Sequence, residues 1–439
     1  MDCLQSSSTI PQIQVGISRQ KPISYDFIGQ MSYDVLTKIL SLMPIKDAVA
    51  TSGVATRWRY LWRNLMKLNF DGRSTTFNKP SVVKLENEKY INQVHSVIRS
   101  YNHPTVNDFR IRYGLNCNHK HDIDEWIQFA MNKKVEFLEL DLTNRCHYMC
   151  SHGKDYDFPS RFADVLPYLK KLILIRVNVT QEVFEAFLKN SPHLEMIAIL
   201  LPPYLYDIHV NGGQNGGQSR NLKHLQILDV CQFRSIYLSD LDNLVSFTFN
   251  SYSVDLHLAH LPKLKEVKLG LVSMNINNVF SQMSFGALSL QSLSLSVNHL
   301  EGYNILPESV PKLLNLKKLR LSYDGDGDDC LLYLAFMMNA CPNLENFCLK
   351  PSWTSTTISK KKARCATNPH KNLKLVEIVE YKGRKCDYEV AAYIIQTAVE
   401  LKKIVIAIER INPKKEEAAR SSAERIKLIK PHGVELIII

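Results

Sequence analysis

The sequence lacks the features that would indicate a membrane protein or a secreted one. No apolar run in it approaches the roughly 20 residues that a membrane-spanning helix requires. Residues 1–24 are polar and rich in Ser and Gln, without the apolar stretch of a signal peptide. We expect this segment to be disordered, because it holds too few apolar residues to fold. The expected location is intracellular, in the cytoplasm, the nucleus or both.

The sequence also lacks the spacing of a metal site and the motifs of common enzymes. Its ten cysteines include no Cys-x-x-Cys pair, so we expect reduced thiols. The acidic run 324–329 begins like a calcium loop, but Asp329 stands where the loop needs glycine and Ala335 where it needs glutamate. Nucleophile-elbow, P-loop and dinucleotide-binding motifs are missing too. We therefore predict no metal, no cofactor, no catalytic residue and no enzymatic activity. Two cysteine–histidine groups lack the spacing of a structural zinc site: Cys117, His119 and His121, and Cys146, His147, Cys150 and His152.

Positive charge is concentrated toward the C-terminus. The chain carries 54 Lys and Arg against 43 Asp and Glu, and residues 359–439 alone hold 18 basic against 10 acidic residues. The basic cluster 360–364 fits a nuclear-import pattern, although such runs are more often solvated loops. A nucleic-acid interface would need basic residues interleaved with aromatic ones on one face, and this pattern is absent. We expect neither nucleic acid nor a membrane as a partner.

Residues 25–71 contain three short helical patterns. Ser32 is placed to cap the first helix, and apolar residues follow at helical spacing up to Pro44, which ends it. Asp47 is placed to cap the second helix. The third pattern is the run Arg57-Trp58-Arg59-Tyr60-Leu61-Trp62. Such spacing is also typical of an ordinary three-helix core, but so small a segment is expected to need a partner surface.

This segment resembles an F-box, the helical module by which substrate receptors attach to the Skp-type adaptor of a cullin-RING ubiquitin ligase. The strings Lys46-Asp47-Ala48-Val49 and Arg57-Trp58-Arg59-Tyr60-Leu61-Trp62 are close to the plant F-box pattern. Where the family usually has Leu-Pro before the first helix, this chain has Met31-Ser32, and we expect the difference to weaken adaptor binding. The resemblance implies that the adaptor is contacted by Ile28, Met31, Leu36, Ile39, Leu40, Pro44, Leu61 and Trp62.

A repeat organises the rest of the chain. The pattern apolar-x-x-apolar-x-apolar occurs twelve times, at a spacing near the 20–29 residues of leucine-rich repeats. The last two apolar side chains of each unit fall on one face of a short strand, and the units must stack because none can bury that face alone. The twelve units are Val106/Phe109/Ile111, Val135/Leu138/Leu140, Leu169/Leu172/Leu174, Leu194/Ile197/Ile199, Leu225/Leu228/Val230, Leu244/Phe247/Phe249, Leu264/Val267/Leu269, Leu290/Leu293/Leu295, Leu316/Leu319/Leu321, Leu344/Phe347/Leu349, Leu373/Val376/Ile378 and Leu401/Ile404/Ile406.

Residues 366–439 resemble the FBD domain that follows an F-box and leucine-rich repeats in plant proteins. We predict a strand, a turn at Gly383, a helix from about Tyr388 to Leu401 and a second strand. Asn412-Pro413 then supplies a cap and a first-turn proline for another helix, and residues 434–439 form a last strand that seals the stack.

The predicted fold is α/β, with a three-helix F-box, an irregular leucine-rich-repeat solenoid and a C-terminal FBD cap. The solenoid is expected to be a curved parallel sheet with helices on its convex side. The predicted divisions are 1–24 (disordered), 25–71 (F-box), 72–365 (leucine-rich repeats) and 366–439 (FBD domain and cap).

Two functional hypotheses follow. In the first, the protein is a non-catalytic substrate-recognition subunit of an SCF-type (Skp-cullin-F-box) E3 ubiquitin ligase. Its F-box docks the Skp adaptor, and its repeats bind a target protein for ubiquitination and degradation. In the second, it is a leucine-rich-repeat interaction scaffold that no longer engages the ligase. Strand residues beside the apolar pairs are predicted to contact the target: Ser294, Ser296, Arg320, Ser322 and Lys350.

Overall fold

The structure is a computed structural model that describes most of the chain. Segment 1–24, most of the acidic run 324–329, the second cysteine–histidine group and cluster 360–364 lie outside the described residues. The described residues are 28, 30–54, 56–72, 80–143, 155–202, 205–212, 220–230, 233–251, 254–271, 276–298, 311–325, 334, 337–353, 369–410 and 412–439.

Within the described residues, fourteen parallel strands form one continuous sheet. Alternate apolar side chains such as Leu138, Leu172 and Ile197 are fully buried. Alternation puts them on one face of the sheet, the inner face, and puts the side chains between them on the other, which we call the open face. In sheet order the strands are β1 (Lys67–Asp71), β2 (Asp108–Arg112), β3 (Phe137–Asp141), β5 (Lys171–Ile175), β7 (Met196–Leu200), β9 (His224–Val230), β11 (Ser246–Ser251), β13 (Glu266–Leu271), β14 (Ser292–Asn298), β15 (Lys318–Gly325), β16 (Asn346–Trp353), β17 (Leu375–Tyr381), β18 (Lys403–Ile408) and β19 (Glu435–Ile438).

Helices pack on the inner face. Trp126, Phe184 and Phe187 are fully buried in the same continuous core as the inner-face strand residues, which confirms the predicted α/β class. The described helices are α1 (Tyr33–Ser41), α2 (Ile45–Ala50), α3 (Pro80–Ser100), α4 (Lys120–Asn132), α5 (Ser160–Ala163), α6 (Gln181–Asn190), α7 (Ile276–Gly286), α8 (Lys385–Thr397) and α9 (Pro413–Glu424).

Part of the inner side is covered by strands, which the sequence analysis did not predict. The steps from Ile227 to Phe249 and from Phe249 to Leu269 are only 22 and 20 residues. A step this short is at the lower limit of leucine-rich repeats, so these two steps accommodate extended return segments, at Ser235–Ser239 and Asp255–Ala259, in place of longer helices. The other additional strands lie in longer steps. The additional strands form a three-stranded and a two-stranded parallel sheet: β8 (Asp207–Asn211), β10 (Ser235–Ser239) and β12 (Asp255–Ala259), and β4 (Tyr156–Asp157) with β6 (Val177–Asn178).

One repeat was predicted in the wrong register. The pattern was placed on Leu225/Leu228/Val230, but the buried set is Leu222/Leu225/Ile227. Two apolar frames overlap in this segment, and pairing of His224 with Met196 on the neighbouring strand selects the second. A register shift of three residues would move the inner-face side chains of the strand to the open face. Pairing with the neighbouring strands therefore selects one of two registers that the local sequence leaves equivalent.

Asparagines in the turns before the strands tie successive repeats together. The Nδ2 of Asn243 donates to the carbonyl of Arg220 at 2.7 Å, and that of Asn343 to the carbonyl of Leu314 at 2.8 Å. The twelve apolar triplets alone do not include these asparagines. The residue just before the first apolar position of a repeat was the missed signal, and it also includes Asn221 and Asn315.

The segment that resembles an FBD domain continues the same sheet. Strand β17 pairs with β16 on one side and with β18 on the other, and β19 forms the last strand. Asn412 caps α9 as predicted, because its side-chain oxygen accepts from the backbone N–H of Lys414 at 3.0 Å. Helix α8 starts and ends a few residues earlier than predicted, since Asp387 accepts from the backbone N–H of Arg384 and fixes its first turn.

Replacing Gly383 with alanine is expected to destabilise this C-terminal segment. Gly383 has φ +74°, and an added Cβ would lie 2.5 Å from the Cα of Ala419. Left-handed strain and the clash together should cost about 2–4 kcal/mol of unfolding free energy, measured by urea denaturation. Gly433 is the matched control, because it has φ +81° but no atom within 4 Å of an added Cβ. Equal losses in Gly383→Ala and Gly433→Ala would contradict the close approach at Ala419.

Candidate protein-interaction sites

The first helix of the F-box-like segment begins as the sequence predicted. The Ser32 hydroxyl accepts from the backbone N–H of Val35 at 3.4 Å, and Asp34 lies in the first turn. The second helix differs, because its N-cap is Pro44, and Asp47, which was predicted to cap it, lies inside the first turn. There its carboxylate still faces the positive end of the helix dipole.

The third helical pattern forms two short 3₁₀ turns, Thr56–Trp58 and Leu61–Asn64, in place of one α-helix. Arg57 holds this part against the start of α1, since its Nη2 donates to the carbonyl of Met31 at 2.7 Å and its guanidinium lies 4.8 Å from the Tyr33 ring centroid. Arg57 therefore contributes contacts within the module.

The structure divides the eight predicted adaptor residues into two groups. Leu36 and Leu40 are fully buried, and Leu61 and Trp62 are nearly so, packed in the core of the protein. These four side chains hold the module together and are not free to contact another protein. The other four lie at the surface or partly exposed: Ile28, Met31, Ile39 and Pro44.

The same segment contains a second group of exposed apolar residues, which were not predicted from the sequence. Leu42 and Val54 are 79% and 76% exposed. Within the described part of the chain, seven of the seventeen exposed large apolar side chains fall between residues 28 and 60. Such a density is typical of an interaction surface. The seven are Ile28, Tyr33, Val35, Leu42, Met43, Val54 and Tyr60; we call them the exposed F-box residues.

The F-box-like segment is joined firmly to the sheet. Its last residues form β1, which pairs in parallel with β2 over five residues. Two buried tyrosines, Tyr90 in α3 and Tyr101 directly after it, reinforce the junction. The Tyr101 hydroxyl donates to the carbonyl of Leu65 at 2.8 Å, and the Tyr90 hydroxyl donates to that of Phe70 at 2.7 Å. Burial raises the pKa of Tyr101 to about 12, so this donor stays protonated at neutral pH.

Substituting proline for Ser32 tests the departure from the usual Leu-Pro. Ser32 has φ −63°, which proline would preset, a gain of about 0.4–1 kcal/mol. Loss of the hydroxyl cap would cost about 0.5–2 kcal/mol. We therefore expect Ser32→Pro to leave the melting temperature unchanged or slightly lower, with Ser32→Ala as the control that removes only the cap. A clear gain in stability or adaptor affinity on Ser32→Pro would favour the original expectation that Met31-Ser32 weakens binding.

On the open face, charged side chains near the N-terminal end of the sheet are paired with one another. Arg112 donates to both carboxylate oxygens of Glu139, at 2.5 and 2.9 Å, and also contacts Asp71 at 3.3 Å. Arg110 pairs with Asp108 at 2.8 Å. Glu139 is only 4% exposed, so this network stabilises three strands and leaves little charge for a partner.

The five predicted target residues lie together on the open face of strands β14–β16. Ser294 is directly beside Arg320, and Ser296, Ser322 and Lys350 form one row across the three strands. Their contact with a target stays a prediction. Lys350 is already paired with Glu380, with Nζ and Oε1 2.7 Å apart.

No group of three or more His, Cys, Asp or Glu side chains that could hold a metal is found among the described residues. The described cysteines Cys117, Cys341, Cys348 and Cys386 are free, and all but Cys117 are buried. Burial raises the pKa of Cys341 to about 12, which leaves its thiol protonated and unreactive at neutral pH.

Two family models match the chain, and together they define a class of protein. The F-box domain model matches residues 28–70, which include α1, α2, the 3₁₀ turns and most of β1. A model described as "At1g61320/AtMIF1, LRR domain" matches residues 159–431, more than half of the chain. The fold and these matches define an F-box module followed by a leucine-rich-repeat domain.

Curated relatives named for the same combination match the chain over half or more of their length. The F-box/FBD/LRR-repeat protein At5g22700 of Arabidopsis thaliana is 24% identical, over 87% of this chain and 92% of the relative. The F-box/FBD/LRR-repeat protein At1g13570, from the same plant, is 25% identical over 52% of this chain and 55% of the relative. The chain belongs to the plant family of F-box/FBD/leucine-rich-repeat proteins. None of the helices in its described part is long and apolar enough to cross a membrane.

Proposed function

We propose that the protein is the substrate-recognition subunit of an SCF-type E3 ubiquitin ligase. The observation that carries the proposal is the set of exposed F-box residues, seven large apolar side chains within 33 residues of a segment that matches the F-box model. Exposed apolar surface is costly unless a partner covers it. A Skp-type adaptor is the partner that an F-box implies, and the intracellular location predicted above follows from it.

In this proposal the adaptor surface consists of the exposed F-box residues, together with the partly exposed Met31, Ile39 and Pro44. The buried Leu36, Leu40, Leu61 and Trp62 act indirectly, by fixing the backbone that presents them. This division follows from burial, because a side chain that is already packed has no surface to offer a partner.

The second part of the proposal is that the open face of the large sheet binds the target protein. Long parallel arrays of this kind offer extended recognition surfaces, and the open face exposes polar side chains that the core does not need. The protein is then not an enzyme itself. Its contribution is to hold the target near the ubiquitin-transfer machinery that the adaptor recruits, which raises the effective concentration of the target's lysines.

Co-expression with a Skp-type adaptor tests the proposal. The chain and the adaptor are expected to elute as a stoichiometric complex in size-exclusion chromatography. Addition of cullin and RING subunits, together with E1, E2, ubiquitin and ATP, should give ubiquitin transfer to a captured target. A chain that elutes alone, with the adaptor fully competent for another F-box protein, would contradict the proposal and favour the scaffold hypothesis.

A further inference from the structure

We infer that the open face at strands β13–β15 recognises an acidic segment of the target protein. The expected ligand is an extended peptide with Asp or Glu at alternate positions. This inference rests on the proposed function, because it takes the open face as the target surface and adds the chemistry of the segment that binds there.

The first observation is a pair of cations without partners. Lys318 and Arg320 are both exposed on β15, and neither makes an ion pair or a side-chain hydrogen bond with any described residue. On the same face near the N-terminus, Arg112 is neutralised by the buried carboxylate of Glu139. The positive charge of the open face is therefore neutralised at β2, near the N-terminal end of the sheet, and is available to a ligand at β15.

The second observation is a strand of serines beside these cations. Ser292, Ser294 and Ser296 occupy the open face of β14, and Ser294 lies between Lys268 of β13 and Arg320 of β15 in the strand register. Strands are about 4.8 Å apart, so these two cations flank a strip about 10 Å wide. Serine side chains are short, so the strip is a shallow groove whose hydroxyls can donate to a carboxylate.

Lys268 is available to a ligand as well. Its ion pair with Glu266 spans 2.9 Å, but both side chains are about half exposed. An exposed pair of this kind contributes little and exchanges readily. Lys268 can therefore turn to a carboxylate in the groove, whereas Lys350, paired with Glu380, lies one strand beyond its edge.

The spacing of the cations specifies the spacing of the acids. Lys318 and Arg320 are two residues apart on one strand, so their side chains leave the sheet about 7 Å apart. Alternate residues of an extended peptide have the same separation. The cations lie along a strand and do not converge on one point, which favours carboxylates distributed along a segment over one phosphate group.

Peptide binding to the full chain, purified as its complex with the adaptor, tests the inference. Fluorescence anisotropy would compare a labelled peptide of Glu-Thr repeats with a Gln-Thr peptide of equal length, and with a Gln-Thr peptide that carries one phosphoserine. The variant is Lys318→Gln with Arg320→Gln. Its charge-matched control is Lys414→Gln with Lys415→Gln, two exposed cations of α9 that make no ion pair within the described residues.

The Glu-Thr peptide is expected to bind at least about tenfold more tightly than the Gln-Thr peptide. The β15 variant should lose that difference, and the α9 control should retain it. Equal binding of the two peptides, an equal loss in the α9 control, or preference for the phosphoserine peptide would each overturn the inference. Retention of the adaptor in the purified complex is read separately, so failure of the inference is distinguishable from failure of the proposed function.

Discussion

Aspartate in place of Leu42 and Val54 is expected to abolish capture of the adaptor while the chain stays folded. These are the two most exposed of the exposed F-box residues. A charge buried without a partner at an apolar interface costs several kcal/mol, so the pair of substitutions should weaken binding by at least about a hundredfold. Isothermal titration with the purified adaptor measures the loss, and circular dichroism melting checks that the fold is retained.

Leu428→Asp is the matched control for these substitutions. Leu428 is 84% exposed and lies far along the chain from the F-box, so its charge should leave adaptor binding unchanged. Leu40→Ala provides the opposite contrast, because Leu40 is fully buried and its truncation should lower the unfolding free energy by about 2–5 kcal/mol. Normal adaptor affinity in the Leu42→Asp, Val54→Asp variant would mean that these side chains lie outside the interface.

Glu139→Ala is expected to destabilise the N-terminal half of the sheet by about 3–5 kcal/mol. Glu139 is 4% exposed and accepts two hydrogen bonds from Arg112. Its removal takes the buried carboxylate from the guanidinium, whose contact with Asp71, 3.3 Å away, is longer. Urea unfolding followed by hydrogen exchange of β1 to β3 would measure the size and the location of the loss.

Glu136→Ala is the control for an ordinary ion pair. Glu136 pairs with Lys170 at 2.8 Å, but both side chains are nearly half exposed, so the loss should stay below about 1 kcal/mol. Similar losses of unfolding free energy on Glu136→Ala and Glu139→Ala would show that burial of the carboxylate does not explain the stability that the network provides.

Most of the sheet could be predicted because the residues of its inner face follow the repeated pattern apolar-x-x-apolar-x-apolar. Eleven of the twelve predicted triplets have the predicted residues buried, and the final strand lies where the apolar C-terminus placed it. The exception at Leu222–Val230 arose because two apolar frames overlap, and only pairing with β7 separates them. Strand β1 was missed as part of the sheet because its residues directly follow a helical pattern.

The candidate sites were harder to predict, because a sequence pattern identifies apolar residues but not which of them are buried in the core and which are exposed. Leu40 and Leu42 have similar chemistry, yet one is fully buried and the other is 79% exposed. Packing of α1 against the turn that contains Leu61 and Trp62 makes this distinction. On the open face, Lys350 and Arg320 looked equivalent in the sequence. The position of Glu380 gives Lys350 an ion pair, whereas Arg320 has none with any residue that the structure describes.

Because β1 pairs with β2, the F-box also serves as the N-terminal cap of the sheet. A stacked array exposes the apolar side of its terminal unit to water unless a capping element covers it. Here Leu65, Leu68 and Phe70 are buried at that end. Truncations that remove the whole F-box should therefore yield repeat fragments prone to aggregate, and a soluble target-binding fragment should be sought by altering the exposed F-box residues instead.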